Sequence, residues 1–373
     1  MLVLGLAAYL GGWLLGWIEL MVVAAGCLVA LLLAAPFVVG RLRLVIARRL
    51  APERVTVGDR AVAQLTIRNP AERYVGPRIV EDRVAGRPRR IEVPGLAGGQ
   101  ETLSVYDLPT AARGCYEVGP SVVAKADPLG LLRREVVQAQ PSRMWVHPAY
   151  RVVRALPVGF AKDLEGPTSD ASPAGDVSFH TLREYQVGDD YRHIHWLSTA
   201  RTGTTMIRHY VDNRRPHLAV LLDDRALAYE ADTFETAVSV AASLGVSSLL
   251  HSQPIAVGFG PAIVLEGRQE REGPDAVLDA LTLVEPGEGS DPAEGTAALL
   301  GREPGTSAMV VLTGAVPTAE LLGLRRVVRR GCRLLVVRVW PRKQVRREAL
   351  PGASLLDVDG LEGFAAAWDR IAR

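Results

Sequence analysis

The first forty residues contain one charged side chain, Glu19, and this apolar stretch constrains the fold more than any other part of the sequence. A single helix of that length would measure ~60 Å at 1.5 Å per residue, about twice the thickness of a bilayer core. The apolar run is interrupted at residues 16–19, which read Gly-Trp-Ile-Glu. The pattern therefore predicts a hairpin of two transmembrane helices, at residues 1–16 and 20–39.

Basic residues follow the second predicted helix at once, at Arg41, Arg43, Arg48 and Arg49. Because positively charged flanks stay in the cytoplasm, we expect the soluble body to face the cytoplasm, and two spans then place the N-terminus there as well. A signal peptide is the alternative, but the stretch lacks a positive first region and an Ala-x-Ala-type cleavage site. The sequence therefore predicts a protein of the cell membrane, with the lipid bilayer as one partner.

The overall charge is close to neutral, with 43 lysine and arginine residues against 41 aspartate and glutamate residues and a formal net charge of +2. A nucleic-acid-binding protein usually has a more basic domain, so we expect no nucleic-acid partner. The three cysteines lie far apart, which argues against a disulfide framework and favours a reducing compartment. A length of 373 residues allows about two to three domains.

Residues 41–150 show the pattern of short β-strands. Ala63, Leu65 and Ile67 alternate with polar residues, as expected for a strand with one buried face. Residues 102–106 repeat this alternation, and turn signals that contain glycine or proline separate the segments. The spacing predicts a small antiparallel domain that is similar to a β-sandwich.

Residues 216–373 change to an alternation of strands and helices. A continuous apolar run ends at Asp223, which is typical of a strand buried on both faces. The alternation predicts a parallel α/β sheet of the Rossmann type. Its predicted strands are residues 217–223, 255–260, 308–313 and 333–340, and its predicted helices are residues 233–251, 274–284, 317–330 and 361–371.

Five of the seven histidines lie between His180 and His217, around a long charged motif. Residues 178–203 read SFHTLREYQVGDDYRHIHWLSTARTG. This motif closely resembles the signature of the family known as domain of unknown function fifty-eight. Two positions depart from it, because Thr199 stands at the family's usual serine and His193 stands where arginine is more usual.

The resemblance implies a layout of four parts. These are a two-helix anchor at residues 1–40, a β-rich domain at 41–150, the signature segment at 151–215 and a von Willebrand factor A-like domain at 216–373. It also implies a MoxR-type AAA ATPase and other membrane proteins as partners, because the genes of such proteins are typically neighbours. The signature or interaction residues are Arg183, Glu184, Tyr185, Gly188, Asp189, Asp190, Arg192, His195, Trp196 and Arg201.

The von Willebrand factor A resemblance implies a divalent-metal site, formed by Asp-x-Ser-x-Ser after the first strand with a later threonine and aspartate. Asp223 is present, but Arg225 and Leu227 occupy the two serine positions, and a later strand ends at Thr313 where an aspartate is expected. Oxygen ligands favour magnesium, so Asp223 is the candidate ligand of a degenerate site. In the alternative interpretation, Asp223 and Asp224 close a strand-end loop and pair with a nearby arginine.

Two interpretations give the histidines a chemical role. On a strand, His193 and His195 would share one face and form half of a zinc site, although no third ligand has diagnostic spacing. Ser198, His195 and Asp190 would otherwise act as nucleophile, base and orienting acid, without a nucleophile elbow around the serine. The plainer interpretation packs His195 beside Trp196 and gives both ring nitrogens hydrogen-bond partners.

The charged residues of the signature have a structural interpretation as well. Gly188 and Asp189 suit a turn, and Gly203 suits a second turn before a strand through Met206. The arginines are expected to make two-point contacts with the carboxylates and so to clamp the β-rich domain against the α/β domain. The same clamp would present a charged face to a partner, and the sequence leaves these alternatives open.

These observations predict a membrane-anchored, non-enzymatic adaptor or scaffold. Its expected partner is a MoxR-type AAA ATPase, with which it would act in the assembly or maturation of an envelope or metal-containing complex. A metal-dependent, hydrolase-like enzyme that uses the histidine-rich signature is the second interpretation, and a purely architectural membrane protein is the third. No cofactor is expected beyond magnesium at the degenerate site of Asp223.

Overall fold

The computed structural model of the protein describes most of the chain in two compact units, Met1–His147 and Pro148–Arg373. The second unit contains both the signature segment and the α/β sheet. The described residues are 2–38, 44–127, 130–156, 177–186, 189, 191–212, 217–230, 232–265, 273–328, 332–341 and 349–372.

The apolar N-terminus folds as two helices, α1 (Leu2–Leu15) and α2 (Ile18–Val38). Gly16 lies between them with a φ of 69°, a left-handed conformation that glycine adopts without strain. Two helices within the described residues are long and apolar enough to cross a membrane: Ile18–Pro36 of α2, and a largely buried helix at Thr233–Leu250. The predicted break in the apolar run is therefore confirmed. Of the four arginines behind the predicted orientation, Arg41 and Arg43 lie outside the described residues, whereas Arg48 and Arg49 lie in the strand Val45–Ala51.

The rest of the first unit consists of two β-sheets. A three-stranded antiparallel sheet has the order β1-β3-β6, and a larger sheet has the order β2-β9-β7-β4-β5 with β8 paired to β7. In the larger sheet β2 and β9 are parallel, and the other pairs are antiparallel. The strands are β1 (Val45–Ala51), β2 (Arg54–Thr56), β3 (Val62–Arg68), β4 (Arg78–Val84), β5 (Arg87–Val93), β6 (Glu101–Asp107), β7 (Gly114–Ala126), β8 (Arg133–Ala139) and β9 (Ser142–His147).

One hydrophobic cluster joins the two sheets. The predicted alternation in β3 is confirmed, because Ala63, Leu65 and Ile67 are fully buried in this cluster. Val80 of β4 and Met144 of β9 contribute to it from the larger sheet. The alternating residues of both sheets thus bury one face each, which explains why short strands of this composition form a stable unit.

The second unit is built on a six-stranded sheet in the order β14-β13-β12-β15-β16-β17. Its strands pair in parallel except for β14, which is antiparallel to β13. The remaining two strands, β10 and β11, form a separate antiparallel hairpin. The strands are β10 (Val177–Glu184), β11 (Met206–Asp212), β12 (His217–Leu222), β13 (Ile255–Phe259), β14 (Ala262–Leu265), β15 (Thr306–Thr313), β16 (Arg333–Val339) and β17 (Ser354–Val358).

Helices cover both faces of this sheet. Along β12, Leu218, Val220 and Leu222 belong to one hydrophobic cluster, while Ala219 and Leu221 belong to another. A continuous apolar run is therefore required, as predicted from the sequence. The helices are α3 (Trp196–Thr202), α4 (Thr233–Leu250), α5 (Pro274–Thr282), α6 (Pro292–Arg302), α7 (Arg325–Val328) and α8 (Leu361–Ile371), and short 3₁₀-helices are Tyr191–His193, Ala226–Ala228 and Thr318–Leu324.

Helix α4 is a core helix that anchors an extended segment of the chain. The hydroxyl oxygens of Ser243 and Ser247 accept hydrogen bonds of 2.9 Å from the backbone N–H groups of Arg151 and Val153. Gln253, just after α4, donates to the carbonyl of Leu156 at 2.7 Å. These side chains satisfy backbone groups of the segment Pro148–Leu156, which lacks a strand partner of its own among the described residues.

One predicted helix, at residues 317–330, is wrong in its form. Its described part is a 3₁₀-helix at Thr318–Leu324 followed by α-helical residues at Arg325–Val328. Gly323 lies in the middle of this region, where a Cβ would meet the Cβ of Ala293 in α6 at 3.1 Å. The close packing against α6 requires a glycine at this position. Because a glycine lowers α-helical propensity, this region is not a regular α-helix.

Candidate functional site

The signature segment forms the hairpin of β10 and β11 together with the helical connection between them. The hairpin pairs Glu184 with Met206 at its inner end, and Tyr185 N donates to Thr205 O at 2.8 Å. The connection contains the 3₁₀-helix Tyr191–His193 and helix α3. The described part of the signature is therefore a supersecondary element, a hairpin with a helical connection.

Helix α3 is defined by its caps. His195 is the N-cap residue, and its Nδ1 accepts a 3.3 Å hydrogen bond from Ser198 N and lies 2.7 Å from Ser198 Oγ. The Thr199 hydroxyl accepts a 2.9 Å hydrogen bond from Met206 N, which ties the helix to β11. Gly203 ends the helix with a φ of 75°, as the predicted turn requires.

The cap geometry corrects the zinc interpretation of the two histidines. His193 ends a 3₁₀-helix and His195 caps α3, so the two residues do not share one face of a strand. The side chain of His193 lies outside the described part of the structure. The premise that paired these histidines is therefore wrong.

The close contact between Ser198 and His195 is a capping interaction. The same ring nitrogen that faces Ser198 Oγ also accepts the backbone N–H of Ser198, three residues along the chain. This is the local pattern by which a side chain satisfies the first N–H groups of a helix. Asp190, which was expected to orient the histidine, lies outside the described residues.

An ion pair braces the turn that precedes α3. Arg183 contacts Asp189 at two points, Nη1 to Oδ2 at 2.7 Å and Nη2 to Oδ1 at 2.6 Å. Gln186 N also donates to Asp189 Oδ2 at 2.9 Å. Hydrogen bonding to Asp189 raises the pKa of Arg183 above its ordinary value. The predicted two-point arginine contact is confirmed for this pair, while Gly188 lies outside the described residues.

Several large apolar side chains of the signature face solvent. Tyr191 and Trp196 are each 70% exposed, and Leu197 is 62% exposed. The ring of Tyr191 stacks on Tyr185 with centroids 5.4 Å apart, which holds it in place. His195 is half-buried and its Nδ1 contacts Ser198, while its packing beside Trp196 and a partner for its other ring nitrogen stay predictions. Glu184, Arg192 and Arg201 are exposed as well.

A second group of functional candidates lies at the carboxyl edge of the six-stranded sheet. Asp223 follows β12 and Thr313 ends β15, at the point where the strand order reverses direction. Ligands of open α/β sheets bind at such a switch point. The side chain of Asp223 is fully buried there.

Both carboxylate oxygens of Asp223 are bonded within the protein. Arg225 donates from Nε to Oδ1 at 3.0 Å and from Nη2 to Oδ2 at 2.8 Å. Thr313 Oγ1 donates to Oδ2 at 2.6 Å. Tyr229 donates its hydroxyl to the backbone carbonyl of Asp223 at 2.9 Å, and burial raises the pKa of Tyr229 well above its ordinary value. The predicted pairing of Asp223 with an arginine is confirmed.

Asp224 fixes the neighbouring loop. Its Oδ1 accepts a 3.0 Å hydrogen bond from Ser290 N, and its backbone carbonyl accepts one of 2.8 Å from Gly287 N. Gly289 must lack a side chain, because a Cβ would lie 2.5 Å from Arg225 Cγ and its φ is 66°. The loop therefore packs directly over the Arg225 side chain.

The residues at this edge do not fit a magnesium site. The guanidinium of Arg225 occupies the position in which a cation would meet Asp223, and Leu227, the second replaced serine, is fully exposed. Within the described ranges, no group of three or more histidine, cysteine, aspartate or glutamate residues is arranged to hold a metal ion. The contact of Thr313 with Asp223 was not predicted from the sequence. The position of Thr313 at the end of β15 was the signal that could have indicated it.

With this geometry in place, comparison with known proteins identifies the family that the chain resembles. Residues 181–363 match the family model described as Protein of unknown function DUF58. The match begins in β10 and ends in α8, so the resemblance predicted from the signature is confirmed over these residues. Uncharacterized protein YeaD of Bacillus subtilis (strain 168) is 23% identical over 241 residues, 60% of this chain and 56% of that protein. The match thus spans less than two thirds of this relative's length.

Solved structures give only remote likenesses. The CARDB domain of the PF1109 protein from Pyrococcus furiosus, determined in complex with di-metal ions, is 16% identical, with a TM-score of 0.22, 29% of this chain covered and 97% of that chain. A beta-glucosidase from Listeria innocua is 15% identical, with a TM-score of 0.18, 26% of this chain covered and 16% of that chain.

Proposed function

We propose that the protein is a membrane-anchored, non-enzymatic adaptor whose signature segment binds a protein partner. The observation that carries this proposal is the exposure of three large apolar side chains that are close in sequence, Tyr191, Trp196 and Leu197, hereafter the aromatic surface. All three side chains are more than 60% exposed on one short segment. Exposed apolar clusters of this kind mark interaction sites, and tryptophan and tyrosine dominate the binding energy of protein interfaces.

The aromatic surface is held in place before any partner arrives. Asp189 is fixed by Arg183 on one side of it, and His195 and Thr199 fix α3 on the other. Side chains and loops of such a surface need little further ordering when a partner binds, so the entropic cost of association is smaller. This bracing supports a role in recognition over a role as a passive linker.

The two apolar helices support the anchoring part of the proposal. Helix α2 contains a segment long and apolar enough to span a bilayer, and α1 would form the second arm of the hairpin. The orientation with the soluble body in the cytoplasm rests on the basic residues after α2.

The sheet order β14-β13-β12-β15-β16-β17 is that of a doubly wound domain, which supports a von Willebrand factor A-like assignment. The two sheets around one core support a β-sandwich-like first domain.

The partner that we propose is a MoxR-type AAA ATPase, acting with this protein in the assembly or maturation of an envelope or metal-containing complex. This part rests on the signature, whose match to the family model includes the aromatic surface. The exposed side chains of the signature support a protein partner, because the apolar Trp196 and Leu197 are close in sequence to the exposed arginines Arg192 and Arg201. Protein interfaces typically combine aromatic and apolar residues with arginine.

Affinity capture from gently solubilised native membranes, with and without ATP, tests the proposal. Leu197→Ala and Trp196→Ala should each reduce recovery of the ATPase at least ~10-fold, in line with the loss of an interface anchor. Leu283→Ala is the matched control, since Leu283 is 60% exposed and lies outside the signature. Equal recovery of the ATPase by all variants would contradict the proposed contact. Failure of the unmodified protein to recover any ATPase would contradict it as well.

A further inference from the structure

The carboxyl edge of the α/β sheet gathers negative charge around one arginine. Besides Asp223, the carboxylate of Glu320 approaches Arg225, with 3.6 Å between Oε2 and Nη1. Asp291, which caps α6, also contributes to the negative field at the guanidinium. A cluster of this kind requires a positive charge close to Asp223, since an unpaired buried carboxylate is strongly destabilising.

We propose that Arg225 is a built-in cation that replaces a divalent metal ion at this switch point, so that the site is closed to metal. The guanidinium binds both oxygens of Asp223, which leaves that carboxylate no free position for a metal ion. The Thr313 hydroxyl and the backbone N–H of Arg225 also donate hydrogen bonds to the same carboxylate. Arg225 therefore occupies the position of the metal ion, and a metal ion would not displace it.

Packing around Arg225 supports a fixed position for this charge. Gly289 lies against its Cα and Cγ, and Arg225 N donates to Asp223 Oδ1 at 3.1 Å. The side chain is only 24% exposed. Hydrogen bonding to Asp223 also raises the pKa of Arg225, so the charge is present at every physiological pH.

The proposal implies that a metal site is latent in the sequence. Removal of the guanidinium would leave Asp223, the Thr313 hydroxyl and the negative field of Glu320 without a cation. Ser290 lies beside the site, bonded through its N–H to Asp224, and its buried hydroxyl has no hydrogen-bond partner among the described residues. Replacement of Arg225 by serine also adds a hydroxyl oxygen, the kind of ligand that hard cations prefer.

Titration of the full-length protein in detergent with Mn²⁺, followed by electron paramagnetic resonance, tests this proposal. The unmodified protein should bind no more Mn²⁺ than Asp223→Asn does. Arg225→Ser should bind about one additional ion per chain, and this binding should disappear when Asp223→Asn is combined with it. Arg225→Lys is the matched control, because it keeps a positive charge without the two-point geometry and should bind none.

Two results would overturn the proposal. One is stoichiometric Mn²⁺ binding by the unmodified protein that Asp223→Asn abolishes. The other is an Arg225→Ser variant that remains folded by near-ultraviolet circular dichroism and binds no additional Mn²⁺. If Arg225→Ser fails to fold, the comparison of the unmodified protein with Asp223→Asn decides the question, since a metal ion held by Asp223 is incompatible with a guanidinium in that position.

Discussion

Arg183 and Asp189 form a two-point ion pair across the turn that leads from β10 to the aromatic surface. The pair joins the hairpin to the segment that contains Tyr191, and both partners are partly exposed. Its contribution is therefore local order, because exposed ion pairs add little to global stability. We therefore expect the preorganisation of the signature to depend on this contact.

Arg183→Ala should loosen the connection between β10 and α3 without unfolding the protein. Backbone amides of residues 191–202 should exchange with deuterium about 10-fold faster, while the six-stranded sheet keeps its protection. Arg60→Ala provides the matched control, since Arg60 pairs with Asp107 at 2.9 Å on the surface of the first unit. Unchanged exchange in residues 191–202 would show that the ion pair does not order the signature.

A buried ion pair connects the two sheets of the first unit. Asp82 of β4 accepts hydrogen bonds from Arg48 Nε at 3.2 Å and from the Tyr106 hydroxyl at 2.7 Å. Both charged side chains are almost completely buried. Asp82→Ala would leave the Arg48 guanidinium buried without its carboxylate, which costs about 3–5 kcal/mol of unfolding free energy.

Chemical denaturation that follows the first unit measures this effect. The control is Asp107→Ala, which breaks the exposed pair with Arg60 and should cost less than about 1 kcal/mol. Similar losses for the two variants would contradict the role assigned to the Asp82 pair.

Acid should weaken the α/β unit through His217. Burial lowers the pKa of His217, and the Glu303 carboxylate, with 3.7 Å between Oε2 and Nε2, offsets part of that effect. In the folded protein His217 therefore stays neutral below about pH 6.5, where the unfolded chain becomes protonated. Protonation favours the unfolded chain, so this part of the free energy of unfolding is present above about pH 6.5 and is lost as the pH falls. His217→Gln should show a smaller drop in thermal midpoint than the unmodified protein between about pH 7 and pH 5. Parallel pH profiles would exclude this role for His217.

The extended segment before the signature depends on serines of α4. Ser247→Ala would leave Val153 N buried without a partner and should lower the free energy of unfolding by about 1–3 kcal/mol. Ser239→Ala is the matched change on the same helix, because that hydroxyl donates to Glu235 O within α4. Urea unfolding should give a lower free energy of unfolding for Ser247→Ala than for Ser239→Ala. Equal free energies would argue against a structural role for the serine contact.

The elements that the sequence predicted are those with strong periodicity. The alternation in β3 and the apolar run of β12 identified their strands because each pattern reflects burial in a sheet. Helix α6 was missed because Gly295 and Gly301 weaken its helical signal, although Asp291 and Pro292 are typical of a helix start.

The candidate sites depended on contacts that no local pattern contains. Helix α3 has seven residues and no buried side chain, so its caps at His195 and Gly203 define it more than periodicity does. The bond from Thr313 to Asp223 joins residues 90 positions apart and arises only when β15 pairs with β12. The pairing of Asp223 with Arg225 was accessible from the sequence because the two residues are neighbours in one loop.

Site-specific photocrosslinking in native membranes tests the proposed partner contact most directly. A photoreactive amino acid in place of Leu197 should crosslink to a MoxR-type AAA ATPase in an ATP-dependent manner, whereas the same group in place of Leu283 should not. A Leu197 crosslink only to lipid, or ATPase crosslinks of equal yield from both positions, would contradict the adaptor function and the role of the aromatic surface.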